Sequence, residues 1–174
     1  TFFHAGIPAL INAVYNKHNI KVVVADNQTI AMTGFQPHPE SGQTAMGDVT
    51  KRVMIEDIAK ACGVDSVEVV DPYDLEETEA AFTRMLKADG VAMVVARRIC
   101  ATEAVRRMRP KKPVPFHIDP ELCVGCRLCL STFGCPALSW IDEDGKASVD
   151  ETLCMGCGVC SQICPQEAIG RVVE

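Results

Sequence analysis

Apolar and polar positions in the first hundred residues switch between two periods. Ile7, Leu10, Ile11 and Val14 fall at i, i+3, i+4 and i+7, one stripe of a helix, with Pro8 tolerated in its first turn. Ile20–Asp26 is a β-branched run of the kind found in strands buried on both faces. Residues 27–50 carry Gly, Pro, Ser and Thr without a period and read as a long loop, a length that compact domains keep for function. A second helix places Ile55, Ile58, Ala59 and Cys62 on one face and stops at Gly63. Ser66–Val70 reads as a strand. Asp74 caps a third helix, with Glu77 as its capping-box partner and Phe82, Met85 and Leu86 as its apolar face. Val91–Ala96 is a further strand. Strands of continuous apolar character alternating with helices predict a parallel, doubly wound α/β sheet. Three strands are few for such a sheet, so the rest are expected upstream of Thr1 or from another chain.

The pattern then breaks. Arg106-Arg107-Met108-Arg109-Pro110-Lys111-Lys112-Pro113-Val114-Pro115 holds three prolines and a run of basic residues, the composition of a solvated linker. We expect domain boundaries at 1–109 and 117–174, with 110–116 as the tether. Charge separates at the same place. The net charge is −6, and the chain is balanced up to Lys112, so all of it lies in the C-terminal part. An acidic surface argues against nucleic acid and suits a basic partner face. No apolar run reaches the roughly 20 residues of a membrane helix. The chain opens without Met and without a signal-peptide layout, which reads as a fragment of a longer polypeptide.

Beyond the linker, cysteine spacing takes over as the main signal. Eight of the ten cysteines lie between Cys123 and Cys164, in two copies of one pattern. The first is Cys123-x2-Cys126-x2-Cys129, then Cys135-Pro136 after five residues. The second is Cys154-x2-Cys157-x2-Cys160, then Cys164-Pro165 after three. Three thiolates at this interval wrap three corners of a cubane cluster, and in two-cluster ferredoxins the Cys-Pro cysteine serves the other cluster. The spacing predicts cluster I on Cys123, Cys126, Cys129 and Cys164, and cluster II on Cys154, Cys157, Cys160 and Cys135. Gly125, Gly156 and Gly158 are expected to let backbone N–H groups approach the sulfurs. Disulfides would need a secreted setting that nothing here supports, and zinc sites pair C-x2-C knuckles instead. Cys62 and Cys100 are read as structural. By itself, Asp26-Asn27 at the end of a buried strand is a weak ligand signal, and spacing alone favours ordinary turn chemistry.

The runs Thr1-Phe-Phe-His-Ala-Gly-Ile-Pro-Ala-Leu-Ile-Asn-Ala-Val-Tyr-Asn16 and Asp26-Asn-Gln-Thr-Ile-Ala-Met-Thr-Gly-Phe-Gln-Pro-His-Pro39, followed by the double cysteine motif, decide more in combination. In that order, and over essentially the whole chain, the sequence resembles the α subunits of indolepyruvate:ferredoxin oxidoreductases, within the 2-oxoacid:ferredoxin oxidoreductase family. The resemblance implies a partial doubly wound thiamine-diphosphate-binding domain followed by a small α+β bacterial-type ferredoxin domain with two [4Fe–4S] clusters. It implies thiamine diphosphate held with Mg²⁺, with Asn27 and the Thr29 carbonyl as metal ligands and a Gly-Asp pair just upstream of Thr1. Met32, Thr33, Gly34 and Gln36 match the segment beside the cofactor. His4 is the candidate for direct chemistry, with helix-start capping as its plainer alternative, and His38 reads as a loop residue.

The implied reaction is oxidative decarboxylation of an aryl 2-oxoacid to acyl-coenzyme A, with electrons leaving through the clusters. The implied partners are a second (β) subunit, an external ferredoxin, coenzyme A and the 2-oxoacid, in a reducing cytoplasm. The fragment alone is expected not to turn over. Alternatives are a related oxidoreductase of pyruvate or another 2-oxoacid, or an electron-transfer module whose α/β part only docks the iron–sulfur domain.

Overall fold

A computed structural model describes residues 1–108 and 113–171, in two compact units, Thr1–Glu103 and Ala104–Glu174. The first unit opens with a π-helical turn, Phe2–Gly6, that runs into α1 (Ile7–Tyr15) with Pro8 in its first turn. Then follow β1 (Lys21–Asp26), a long loop with a 3₁₀ turn at Ala31–Thr33, α2 (Ile55–Ala61), β2 (Ser66–Val70), α3 (Leu75–Lys87), β3 (Ala92–Arg97) and α4 (Ala101–Met108).

The three strands form one parallel sheet in the order β1-β3-β2. Helices α1 and α2 cover one face, over Leu10, Ala13, Ile55, Ala59, Val64, Met93 and Val95. Helix α3 covers the other, over Val70, Ala81, Met85, Ala92 and Val94. The central strand therefore buries both faces, and Val91 to Val95 are all inaccessible.

Three sequence expectations need correction here. Among the described strands β1 lies at an edge and is not doubly buried, and Val23 remains 49% exposed. β-branched composition marks a strand but not its place in the order. On α1 the packed stripe is Leu10 and Ala13, while Ile11 is half exposed. On α3, Met85 and Ala81 are buried but Leu86 faces solvent. The α3 cap holds in half: the Asp74 carboxylate accepts the Glu77 N–H at 3.1 Å, whereas the Glu77 side chain turns to Arg84 at 2.7 Å.

The second unit is built from β4 (Phe116–Ile118), α5 (Leu128–Thr132), β5 (Leu138–Ile141), β6 (Lys146–Val149), α6 (Val159–Ile163) and β7 (Ile169–Arg171). Each cysteine triplet leads into one short helix. The repeat is folded so that its copies pair with each other: β4 with β7 and β5 with β6, both antiparallel. One core serves both copies, with Phe116, Cys129, Ala147, Cys160 and Ile169 at its centre. Of the expected linker, residues 110–112 lie outside the described residues; Arg106 to Met108 continue α4, and Phe116 opens β4.

Candidate cofactor and cluster sites

The parallel sheet fixes where chemistry can gather in the first unit, at the C-terminal ends of its strands. The β1–β3 ladder runs on past both strands: Arg98 N–H donates to the Asp26 carbonyl and Cys100 N–H to the Asn27 carbonyl, each at 3.0 Å. Beyond it the chain turns sharply. The Asp26 Oδ1 accepts the Gln28 N–H at 2.9 Å, the Asn27 Oδ1 accepts the Thr29 N–H at 3.3 Å, and Gln28 takes a positive φ of 58°. The second of these bonds is long and leaves the Asn27 amide oxygen with acceptor capacity.

A cleft of about 800 Å³ opens at this turn. His4, Asn27, Thr29 and Met32 line it, together with Phe3 and His38, whose rings lie 5.9 Å apart. Its volume falls in the range of small-molecule and cofactor sites. Asn27 is exposed, Thr29 is buried and Met32 stands out almost fully in solvent at the rim. Thr33, Gly34 and Gln36 are not among the lining residues. They close the loop on itself: Thr33 and Gln36 bond through their side chains at 2.6 Å, and Ile30 bridges Gln36. The hard amide oxygen of Asn27, beside Thr29 at a strand end, is a donor set that fits an oxygen-seeking cation.

Below the turn lies a charge cluster that the sequence reading missed. Arg97, the last residue of β3, donates through Nε to Asp26 at 2.6 Å. Its other two nitrogens grip Glu56 of α2 at 3.0 and 2.6 Å, and one also reaches Glu40 of the long loop. Asp26 and Glu40 are almost completely buried. Three carboxylates on one guanidinium leave excess negative charge in a dry site. Glu40 absorbs it: burial first, then the neighbouring Asp26, lifts its pKa to about 7. Its Oε2 has no donor among the described residues, and a bound proton would make the Glu40 carboxyl a donor to the neighbouring Asp26 carboxylate. Glu56 moves the other way, held low by its hydrogen bond to Arg97. Removing Arg97 would strand the carboxylates at a cost of about 3–5 kcal/mol. The signal available in sequence was an arginine ending an otherwise apolar strand, since such a charge must find partners.

In the second unit the eight thiols fall into two groups. Cys123, Cys126, Cys129 and Cys164 line one small cavity with Gly125, Arg127 and Pro165. The Cys129 thiol is raised by burial and then by Cys126, Cys164 and Cys123. The Cys160 thiol is pushed up to about 11 by burial and then by Cys157, Cys154 and Cys135. Each group thus mixes a triplet from one copy with the Cys-Pro cysteine of the other. Among the described residues no three His, Cys, Asp or Glu side chains gather closely enough to share a single metal ion. Two sets of four neighbouring thiols, each set drawn from both copies, suit the four-thiolate ligation of iron–sulfur clusters.

Two of the glycines also meet a steric requirement. Gly125 and Gly156 adopt φ of 69° and 66°, and a Cβ on either would sit 2.5 Å from a carbonyl oxygen, of Gly145 and Val114 respectively. A backbone N–H to sulfur bond runs from Phe116 to Cys154 at 3.4 Å. At the next positions Gly158 has φ 79°, while Arg127 takes φ 61° in spite of its side chain, with its guanidinium 3.9 Å over the Trp140 ring. Cys62 is half-buried against the first core, and the Cys100 thiol bonds Thr102 at 3.1 Å.

Comparison with known proteins agrees with both units. The family model of the thiamine pyrophosphate enzyme C-terminal TPP-binding domain matches residues 1–96, and that of the 4Fe-4S binding domain matches residues 147–170. The chain is 48% identical to the indolepyruvate oxidoreductase subunit IorA of Pyrococcus abyssi, over 100% of this chain and 27% of that protein. It is 47% identical to the IorA of Archaeoglobus fulgidus over 97% of this chain and 27% of the relative. For Methanothermobacter marburgensis IorA the identity is 44%, over 97% and 26%. The chain thus spans about a quarter of the length of these curated relatives. No helix among the described residues is long and apolar enough to cross a membrane. The chain belongs to the thiamine pyrophosphate enzyme family through its C-terminal TPP-binding domain, and it carries a 4Fe-4S binding domain behind it.

Proposed function

We propose that this chain is the cofactor-and-cluster portion of a 2-oxoacid:ferredoxin oxidoreductase that acts on aryl 2-oxoacids of the indolepyruvate type and forms acyl-coenzyme A. The observation that carries this reading is one chain that joins a strand-end cleft lined by Asn27 and Thr29 to a unit of two four-thiol groups. The relatives' printed name, indolepyruvate oxidoreductase subunit, supports the substrate class and a partner subunit.

Bound thiamine diphosphate supplies the electron sink for decarboxylation, and [4Fe–4S] clusters accept and release electrons one at a time. The protein's own part is position. The Asn27 amide oxygen and the Thr29 carbonyl hold Mg²⁺, with the remaining ligands from a Gly-Asp pair upstream. The apolar walls of the cleft, Val22 and Val24 of β1 and Ile55 of α2, keep water from the reacting end. His4 and His38 are imidazoles at the cleft placed to pass a proton; Met32 marks its rim, and Thr33, Gly34 and Gln36 set the shape of the loop that carries it. Cluster I is held by Cys123, Cys126, Cys129 and Cys164, and cluster II by Cys154, Cys157, Cys160 and Cys135. The electron acceptor is an external ferredoxin, and the setting is a reducing cytoplasm. Division of labour between residues 1–109 and 117–174, joined by a tether at 110–116, belongs to the same reading.

Substrate assays on the intact complex with indolepyruvate, pyruvate, coenzyme A and ferredoxin test it. Rapid turnover of indolepyruvate that needs thiamine diphosphate and Mg²⁺ is expected. Turnover of pyruvate with none of indolepyruvate would move the enzyme to the related class, and turnover of neither acid would leave an electron-transfer module.

A further inference from the structure

The residues that would meet the cofactor sit on a turn with little support of its own. Asn27 is exposed, Gln28 is at positive φ, and the turn's internal bonds are two short-range side-chain contacts. The stiffness must come from beneath, and what lies beneath is Arg97. Its three nitrogens reach three separate elements: Asp26 at the end of β1, Glu40 in the long loop and Glu56 in the first turn of α2. Asp26 is the residue before Asn27, and its second oxygen accepts the Gln28 N–H, so the hold on Asp26 passes directly into the turn. The neighbouring Arg98 and Cys100 add backbone N–H bonds to the Asp26 and Asn27 carbonyls. Glu40 is further tied by Arg52, whose Nε donates to its carbonyl at 2.8 Å.

We propose that Arg97 is a positioning residue for the thiamine diphosphate site, a buried strut that fixes the Asp26–Thr29 turn and the long loop so that Asn27 and Thr29 are presented to the cation. It touches neither cofactor nor substrate. A planar fork suits this task because three fixed directions are needed at once, which a lysine ammonium at the same place cannot supply. The inference rests on the thiamine diphosphate reading of the cleft.

The experiment is calorimetric titration of the cofactor-stripped intact complex with thiamine diphosphate and Mg²⁺, for the wild type, Arg97→Lys and Glu56→Gln. Arg97→Lys keeps the charge and loses the fork. It is expected to weaken Mg²⁺-dependent cofactor binding by about tenfold or more, the range found when outer supports of a metal site are removed. Glu56→Gln removes the charge and one of the two bonds to Arg97, leaves Arg97 on Asp26 and Glu40, and is expected to weaken binding by a smaller factor in the same direction. Should Arg97→Lys not fold, Glu56→Gln alone decides. In both variants the apparent KM for the cofactor should rise more than kcat falls at saturation. Cofactor affinity equal to wild type in a folded variant, with only a lower melting temperature, would reduce Arg97 to a core ion pair and overturn the proposal. A wild-type complex that binds no thiamine diphosphate would instead overturn the reading of the cleft on which it rests.

Discussion

Gly125 and Gly156 occupy the same place in the two cysteine turns, and each has a backbone carbonyl 2.5 Å from the point where a Cβ would lie. The two obstructing carbonyls, of Gly145 and Val114, stand at equivalent places in the repeat, each nine residues before the first cysteine of its triplet, so each copy supplies the obstruction for the other's turn. Positive φ alone makes an alanine at either position worse by roughly 1–2 kcal/mol, and the contact with rigid backbone adds to that. Gly125→Ala should selectively disturb the group of Cys123, Cys126, Cys129 and Cys164, and Gly156→Ala the other. Iron analysis of the purified intact protein, with about eight irons for wild type and about four for either variant, would check this.

Exchange of the Cys-Pro cysteines has a separate signature. Cys135 lies with Cys154, Cys157 and Cys160, and Cys164 with Cys123, Cys126 and Cys129. Electron paramagnetic resonance of the reduced protein should therefore show Cys135→Ala altering the same cluster signal as Cys157→Ala. Cys164→Ala should alter the signal that Cys126→Ala does. The opposite pairing would mean that each copy keeps its own fourth ligand.

Glu40 makes the first unit respond to pH. The folded state lifts its pKa from 4.5 to about 7, with Asp26, Glu56 and Arg97 facing its carboxyl and His38 and Arg52 bonding its backbone. A raised acid favours the folded state while it is protonated. Its contribution is complete below pH 4.5 and is lost as pH climbs through about 7. The loss is on the order of 1–3 kcal/mol. Thermal melts of the intact protein between pH 5 and pH 8 should show the fall in wild type, and Glu40→Gln should flatten it. A wild-type slope retained in the variant would assign the dependence to another group.

Arg127 occupies a backbone conformation that its counterpart in the repeat gives to Gly158. Stacking on Trp140 offsets the strain. Arg127→Gly should then be nearly neutral, losing the stack but relieving the backbone, whereas Arg127→Ala keeps the strain and loses the stack. The two variants should differ by about 1 kcal/mol in denaturant melts of the cluster-loaded protein, with alanine the weaker.

Much of this was legible before any coordinates. The alternation of strand and helix, the cap at Asp74 and the cysteine repeat are local signals, each set by residues a few positions apart, and the elements lie where those signals put them. The order β1-β3-β2 was not legible, because Ile20–Asp26 and Val91–Ala96 have the same apolar character and only their neighbours make one an edge and the other the centre. The site divides in the same way. Asn27 and Thr29 lie two positions apart on one turn, and the family resemblance singled them out together. Arg97, Glu40 and Glu56 are scattered over 57 residues of sequence and meet only because a parallel crossover brings the end of β3 beside the end of β1. Cysteine grouping was readable from spacing; the carbonyls behind Gly125 and Gly156 were not.

The pairing of β4 with β7 has a consequence for how the second unit is made. Strand β4, Phe116–Ile118, finds its partner in Ile169–Arg171, so the opening of the unit waits for its far end to be synthesised. Until then the first cysteine triplet has no finished scaffold around it. A nascent chain stalled between the two copies would offer bare thiols and no fold. The two copies therefore depend on each other to fold, since neither has a complete strand pair or core without the other.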